Sequence, residues 1–206
     1  MARSCSRSAS IASTWPPERP DFLPADEGPP VEQIPAAVLV PLFLTPGSAE
    51  PQLVLTKRRA DLRRHAGEIS FPGGRKDPED ADLSETALRE AEEEIGLPRA
   101  AVSILGELPA TSTFATNYVI HPFVAEIAAG QRWLASPREV EAVLELPVQD
   151  LRESRTRTRM ERRGFSFETD AYILGEHLIW GATARIIEEL LAMPLSIGED
   201  GRLSLD

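Results

Sequence analysis

The amino-acid sequence predicts an α+β fold. Strand-like and helix-like segments follow one another without the regular strand–helix–strand order of a doubly wound sheet, and the sequence contains no internal repeat. Its 206 residues suffice for one or at most two compact domains, each with its own core. These observations favour a sandwich of helices and sheet, and they exclude a large multidomain assembly.

The first 35 residues have the composition of a flexible arm. Residues 1–14 contain five serines, two arginines and no acid, and seven prolines occur from Pro16 to Pro35. Such a segment cannot bury enough apolar surface to fold. An organelle transit peptide is also Ser- and Arg-rich, but this stretch lacks an amphipathic apolar face. The sequence therefore predicts an arm over residues 1–35, a folded domain over residues 36–195 and a short polar tail over residues 196–206.

Local patterns place the elements of the domain in order. Runs of strand-forming residues between turn signals predict strands over residues 36–44, 52–57, 102–108 and 118–127. The clearest helix spans residues 83–95, because Gly96 and Pro98 follow it as helix stop signals. Apolar residues have partly helical spacing over 137–150, and a second amphipathic helix is predicted over 180–191.

Charge and composition exclude several classes of partner. With 22 basic and 33 acidic residues the net charge is -11, so a nucleic acid backbone would be repelled. The longest apolar stretch, residues 36–44, is interrupted by Pro41 and is far shorter than the roughly 18 to 20 residues that cross a bilayer. Cys5 is the single cysteine, which excludes an internal disulfide and a thiolate metal cluster. We expect a cytoplasmic protein that binds neither nucleic acid nor membrane.

The helix predicted over residues 83–95 has one apolar and one acidic face. At about 100° per residue, the apolar arc carries Ala87, Leu88, Ala91 and Ile95, and the opposite, solvated arc carries Glu90, Glu93 and Glu94. Neighbouring carboxylates on a helix repel one another unless a cation lies between them, and Mg²⁺ prefers such oxygen ligands. The Gly73–Gly74 pair before the helix permits positive φ or a close backbone approach. These features favour a metal site on the acidic arc. The alternative is that Glu90, Glu93 and Glu94 merely form the ordinary solvated face of an amphipathic helix.

The acidic stretch also carries a family resemblance. Residues 89–97, REAEEEIGL, match the pattern R-E-U-x-E-E-x-G-U, where U is apolar, and resemble the second half of the Nudix hydrolase box. The first half of that box, G-x5-E-x7-R, is altered. Counting from Gly74, Asp80 stands at the position of the glutamate, and eight residues rather than seven separate it from Arg89.

The residues upstream resemble one branch of that family, the coenzyme A diphosphatases. Their signature is roughly L-L-T-x-R-[S/A]-x3-R-x3-G-x3-F-P-G-G. This chain supplies Leu55, Thr56, Arg58, Arg63, Gly67 and residues 71–74, FPGG. It has Val54 in place of the first leucine and Arg59 in place of the small residue. The resemblance covers about residues 36–192.

The resemblance implies an α/β/α sandwich around a mixed β-sheet and a hydrolase dependent on Mg²⁺ or Mn²⁺. Water would attack phosphorus in the diphosphate of coenzyme A, giving 4'-phosphopantetheine and adenosine 3',5'-bisphosphate. Carried over to this chain, it implies metal ligands at Glu90, Glu93 and Glu94, catalytic roles for Arg89 and Glu93, and substrate binding by Arg58, Arg63, Gly73 and Gly74. Two alternatives stay open: a Nudix hydrolase of ADP-ribose, a dinucleotide or a nucleoside triphosphate, and a non-catalytic module that binds nucleotides.

Two further groups of charged residues are candidates for the site. A basic patch, in which an anionic substrate could bind, comprises Lys57, Arg58, Arg59, Arg63, Arg64 and His65. Its alternative interpretation is solvated or internally paired charge. The resemblance also implies a general base after the last core strand, where the candidates are Glu139, Glu141 and Glu145. The sequence does not choose among these three.

Overall fold

The computed structural model describes residues 33–62, 65–113, 117–162 and 165–205. Most of the predicted arm, together with Arg63 and Arg64, lies outside these residues. The described strands are β1 (Ile34–Leu44), β2 (Pro51–Arg58), β3 (Ile69–Ser70), β4 (Gly73–Arg75), β5 (Val102–Glu107), β6 (Thr111–Ser112), β7 (Tyr118–Ile127), β8 (Val140–Pro147), β9 (Arg155–Arg162), β10 (Phe165–Leu174), β11 (His177–Trp180), β12 (Leu195–Ile197) and β13 (Leu203–Leu205). The described helices are α1 (Leu83–Ile95), a 3₁₀ turn (Arg99–Ala101), α2 (Val148–Ser154) and α3 (Gly181–Ala192).

Strand β1 lies at the centre of a mixed eight-stranded sheet. It pairs in parallel with β7 and antiparallel with β2 and β4, and the main path of the sheet runs β3-β2-β1-β7-β5. Strand β8 pairs with β2, and β6 pairs with β7. Two smaller sheets, β11-β10-β9 and β12-β13, complete the strand pairing of the described residues.

Pro41 lies in the central strand β1 at a position where no inter-strand hydrogen bond needs its N–H. Residues Ala36–Val38 of β1 pair with β4, and residues Leu42–Leu44 pair with β2 along the same edge. Leu39 directs its N–H to Pro72 O on that edge, at 2.9 Å, so the nitrogen of Pro41, two residues later, faces the gap between the two partner strands. The missing N–H of proline therefore breaks no ladder hydrogen bond.

The side chains of β1 alternate between two buried clusters, one on each face of the sheet. One cluster joins Ala37, Leu39 and Phe43 to Ala87, Ala91 and Ile95 of α1. The other joins Val40 and Leu42 to Ile186, Ile187 and Leu190 of α3. Helices α1 and α3 thus cover opposite faces, which confirms the predicted α+β sandwich around a mixed sheet.

Helix α1 has the predicted bounds because both of its ends are capped. The Asp82 carboxylate accepts the N–H of Glu85 at 2.9 Å at the first turn. Gly96 ends the helix in the left-handed conformation, φ 69°, which costs glycine little. Helix α3 begins and ends one residue later than predicted. In the described part of the chain, no helix combines the length and the apolar composition that crossing a membrane requires.

The C-terminal half departs from the sequence predictions. The partly helical segment expected over 137–150 is wrong for most of its length: it contains β8, and helix α2 begins only at Val148. Strands β9, β10 and β11 form the three-stranded sheet, which the sequence patterns did not indicate. Residues 196–205, for which a polar tail is predicted, contain most of the β12–β13 hairpin. Leu203 of that hairpin is buried, and its N–H donates to Glu126 of β7 at 3.0 Å.

Candidate active site

The acidic face of α1 is largely enclosed. Only 5% of Glu94 is exposed, and the side chain of Glu90 is 18% exposed, whereas that of Glu93 is 63% exposed. The expectation of a solvated face is therefore wrong for Glu94 and Glu90 and right for Glu93. Arg58 of β2 and the N–H of Gly73 in β4 contact the Glu94 carboxylate, and the N–H of Ser136, in the segment before β8, donates to the backbone Glu94 O at 2.8 Å.

Glu94 is buried without enough partners for its charge. Its Oε1 lies 3.6 Å from Nη1 of Arg58, and its buried Oε2 has no hydrogen-bond partner among the described residues. Burial raises the pKa of Glu94 to about 8, and the charges of Glu90 and Glu139 add to that effect. Arg58 and the N–H of Gly73 oppose it. The carboxylate form of Glu94 thus lacks a strong counter-charge.

Glu90 lies against the glycine pair of β4. A Cβ on Gly74 would overlap the Glu90 carboxylate, and a Cβ on Gly73 would overlap the carbonyl oxygen of Ala37 in β1. The two glycines therefore serve close approach, with no positive φ. Burial raises the pKa of Glu90, while Arg89, whose Nη1 donates to Glu90 Oε1 at 3.0 Å, opposes the shift.

Asp80 anchors Arg89 from the loop before α1. Arg89 donates through Nε to Asp80 Oδ1 at 3.0 Å and through Nη2 to Oδ2 at 3.1 Å. The same carboxylate accepts the Asp77 N–H at 3.0 Å and the Thr86 hydroxyl at 2.8 Å. Mainly because of Arg89, the pKa of Asp80 is well below its usual range. Asp80 was not among the predicted site residues, although its place in the altered box pattern was a signal for it.

Arg89 connects this anchor to the acidic face. Besides Asp80 and Glu90, its guanidinium approaches Glu93, with Nη1 3.5 Å from Oε1. Arg89 thus holds Glu90 in position relative to the loop and forms a looser ion pair with Glu93.

Of the three general-base candidates, only Glu139 lies at this cluster. Its Oε2 is 3.6 Å from Nη2 of Arg58, and its charge contributes to the raised pKa of both Glu90 and Glu94. Glu141 instead pairs with Lys57 at 2.9 Å. The third candidate, Glu145, accepts the indole N–H of Trp133 at 2.6 Å.

The predicted basic patch is divided in the structure. Arg58 points into the acidic cluster, whereas Arg59 donates twice to Asp61, at 2.9 and 2.8 Å, and His65 Nδ1 lies 2.6 Å from Glu68. With Lys57 paired as well, the alternative of internally paired charge holds for these three residues. Arg63 and Arg64 lie outside the described residues.

The acidic cluster fits a hard divalent cation by its chemistry. Every donor in it is a carboxylate oxygen, and one of these oxygens, Glu94 Oε2, is buried with no hydrogen-bond partner among the described residues. In the part of the chain that the structure describes, however, no three acidic, histidine or cysteine side chains are already placed to share one metal ion. A cation would have to draw the carboxylates closer together.

Comparison with known proteins agrees with this geometry. The NUDIX domain model matches residues 34–167. Two curated relatives bear the name "Uncharacterized Nudix hydrolase NudL". The protein from Cronobacter sakazakii is 43% identical over 166 residues, which is 80% of this chain and 83% of the relative. The protein from Photorhabdus laumondii is 39% identical over 157 residues, 75% of this chain and 82% of the relative.

A solved structure supports the fold. The Nudix hydrolase RenU from M. smegmatis has a TM-score of 0.50 at 19% identity, over 59% of this chain and 74% of that one. The matched domain model spans more than half of the chain, and both relatives are well above 30% identical over most of their length. The chain therefore belongs to the Nudix hydrolase family and is a hydrolase that acts on the diphosphate bond of a nucleoside diphosphate derivative.

Proposed function

We propose that this enzyme hydrolyses the diphosphate of coenzyme A or of a coenzyme A derivative. The observation that carries the proposal is the course of the signature-like segment, residues 53–74. The described parts of this segment include β2 and β4 and meet the acidic face of α1 at two points. Arg58 lies 3.6 Å from Glu94, and Gly74 lies against Glu90. Arg58 and Gly74, two residues of the signature-like segment, thus lie beside acidic residues of the box, which supports the proposal.

In the proposed mechanism Glu90, Glu93 and Glu94 hold Mg²⁺ or Mn²⁺. A bound divalent cation supplies positive charge to the diphosphate oxygens and acidifies a nearby water. Arg89, anchored by Asp80, keeps the Glu90 carboxylate in place. Water then attacks one phosphorus, and the bond to the bridging oxygen breaks.

Two further roles are binding of the anionic substrate and acceptance of the proton from water. Arg58 and Arg63 bind the phosphate groups, because a guanidinium matches phosphate oxygens in two parallel hydrogen bonds. Gly73 and Gly74 act on substrate binding indirectly, because their missing side chains leave room for Ala37 and for the Glu90 carboxylate. Glu139 accepts a proton from the attacking water, since it is the general-base candidate that lies at the cluster. The products are 4'-phosphopantetheine and adenosine 3',5'-bisphosphate.

A substrate panel tests the proposal. The purified protein is incubated with coenzyme A, ADP-ribose, NADH and a nucleoside triphosphate, each with Mg²⁺, Mn²⁺ or EDTA, and products are identified by mass. We expect release of 4'-phosphopantetheine that requires the metal and exceeds turnover of the other compounds. Preferential cleavage of another diphosphate would contradict the substrate assignment while leaving the family chemistry intact. Equal turnover in EDTA would contradict the metal requirement.

A further inference from the structure

Arg58 bridges two carboxylates from different parts of the chain. Nη1 lies 3.6 Å from Glu94 Oε1, and Nη2 lies 3.6 Å from Glu139 Oε2. Hydrogen bonds between ionised groups are normally about 2.7–2.9 Å long. The guanidinium therefore compensates the charge of the two acids without forming close hydrogen bonds to either.

The buried atoms around this bridge remain unsatisfied. Among the described residues, Arg58 Nε and Glu94 Oε2 are both buried without a hydrogen-bond partner. Arg89, in contrast, forms bonds of 3.0 and 3.1 Å to Asp80 and one of 3.0 Å to Glu90. Since each unmade buried hydrogen bond costs stability, the partners of Arg58 are poorly matched and those of Arg89 well matched.

A bulge between β2 and β8 brings Glu139 to this position. Lys57 is opposite Ala142 but Arg58 is opposite Val140, so one extra residue of β8 is accommodated between them. The N–H of Arg59 then donates to Glu139 O at 3.0 Å. The backbones on both sides of the bridge are thereby fixed, while the long side chain of Arg58 can change partners.

We propose that Arg58 is an exchangeable counter-ion: its guanidinium and a divalent cation are alternative partners of Glu94, and exchange also frees Glu139 from Arg58. When the cation binds, Arg58 is released and can turn toward the anionic groups of the substrate. The physical basis is that two cations cannot share a few carboxylate oxygens at close range without strong repulsion. This inference rests on the proposed function, because it takes Glu94 as a metal ligand.

Metal binding in the absence of substrate tests the exchange. Mn²⁺ is titrated into the full chain, and free Mn²⁺ is measured by electron paramagnetic resonance. Removing the competing guanidinium in Arg58→Ala or Arg58→Gln should tighten Mn²⁺ binding roughly threefold or more. Arg59→Ala is the matched control, because it removes the same charge from the neighbouring residue, whose guanidinium is paired with Asp61; its affinity should stay within about twofold of wild type. The glutamine variant keeps the test usable if the alanine variant does not fold.

The outcomes separate this inference from the proposed function. If Glu94→Gln abolishes saturable Mn²⁺ binding but the Arg58 variants bind as wild type or more weakly, the exchange is overturned and the metal site stands. If Glu94→Gln leaves Mn²⁺ binding unchanged, the metal site fails and the exchange fails with it. Tighter binding in both Arg58 variants, together with a raised KM for the diphosphate substrate, supports the exchange.

Discussion

The candidate site has two halves, the anchor formed by Asp80 before α1 and Arg89 on α1, and the end of α1 around Glu94, and they differ in how completely their charges are satisfied. In the first half, Asp80 accepts two bonds from Arg89, one from the Asp77 N–H and one from the Thr86 hydroxyl. In the second half, Glu94 is more deeply buried than most carboxylates, yet its partners are a loose ion pair with Arg58 and the N–H of Gly73, and one of its oxygens has no partner among the described residues.

This difference separates the residues that hold the site in position from the residues that bind a ligand. The Asp80–Arg89 anchor is complete in the chain alone, so it positions Glu90 before any ligand arrives. Glu94 is held in an arrangement that is unfavourable for its charge, which is typical of groups whose function requires a partner supplied from outside. Substitutions in the first half should therefore affect stability and activity together, and those in the second half should separate the two.

The largest effect is expected at Glu94. Glu94→Gln keeps the shape but removes the charge that holds the metal, so metal-dependent turnover should fall roughly 100-fold or more. Glu92→Gln is the matched control, because Glu92 is exposed on the same helix and pairs with Arg99 at 3.2 Å. The turnover of this variant should stay within about twofold of the wild-type value. Steady-state rates with saturating Mg²⁺ check both. Full activity in Glu94→Gln would remove the ligand assignment.

A second effect is expected at the anchor. Asp80→Asn weakens the paired hydrogen bonds to Arg89, so turnover should fall roughly 10- to 100-fold. The free energy of unfolding should fall by about 2 kcal/mol, since a nearly buried charge pair loses one partner. Rates and urea denaturation measured on the same preparations provide the comparison. Loss of stability without loss of turnover would show that the anchor does not position the acidic face.

Substitution of Gly74 in β4 should have a smaller effect. In Gly74→Ala the new Cβ would overlap the Glu90 carboxylate and displace it, which should lower turnover by roughly tenfold. Gly106→Ala in β5 is the control, because its Cβ would meet only Leu205 Cδ1, at 3.4 Å. If both variants turn over substrate equally fast, the close approach of Gly74 is not part of the site.

The smallest expected effect is on thermal stability without metal. The pKa of Glu94 is raised to about 8 in the folded protein from an ordinary value near 4.5, so between these values the folded state holds a proton that the unfolded state has lost. Stability contributed by this group is therefore present below pH 4.5 and is lost as pH rises toward 8. In EDTA, wild type should lose several degrees of Tm relative to Glu94→Gln between pH 5 and pH 8. Identical pH profiles of the two proteins would contradict the burial of a poorly compensated charge at Glu94.

The sequence predicts the locally determined parts of the fold well. Helix α1 has the predicted bounds because its stop signals, Gly96 and Pro98, are local. Strand β8 was missed because Val140, Val143 and Leu144 have helical spacing, whereas their strand conformation comes from pairing with β2, far away in sequence. Local propensity yields to such non-local pairing.

The same division holds for the site. The box residues on α1 could be located from their spacing, but the burial of Glu94 could not, because it depends on residues outside the helix such as Arg58 of β2 and Gly73 of β4. The contact between Arg58 and Glu139 depends on a bulge that periodicity does not reveal. The Asp80 anchor was visible only as a departure from the family pattern, and the structure supplies its partner, Arg89.

The most direct test of the account is the position of a bound metal ion. Crystals of the protein soaked with Mn²⁺ give an anomalous diffraction signal that locates the ion without reference to any assumed site. We expect a peak at coordination distance, about 2.0–2.2 Å, from carboxylate oxygens of Glu90 and Glu94, with Arg58 turned away from Glu94. A peak at other side chains, in a protein that hydrolyses its diphosphate substrate with Mn²⁺, would contradict it.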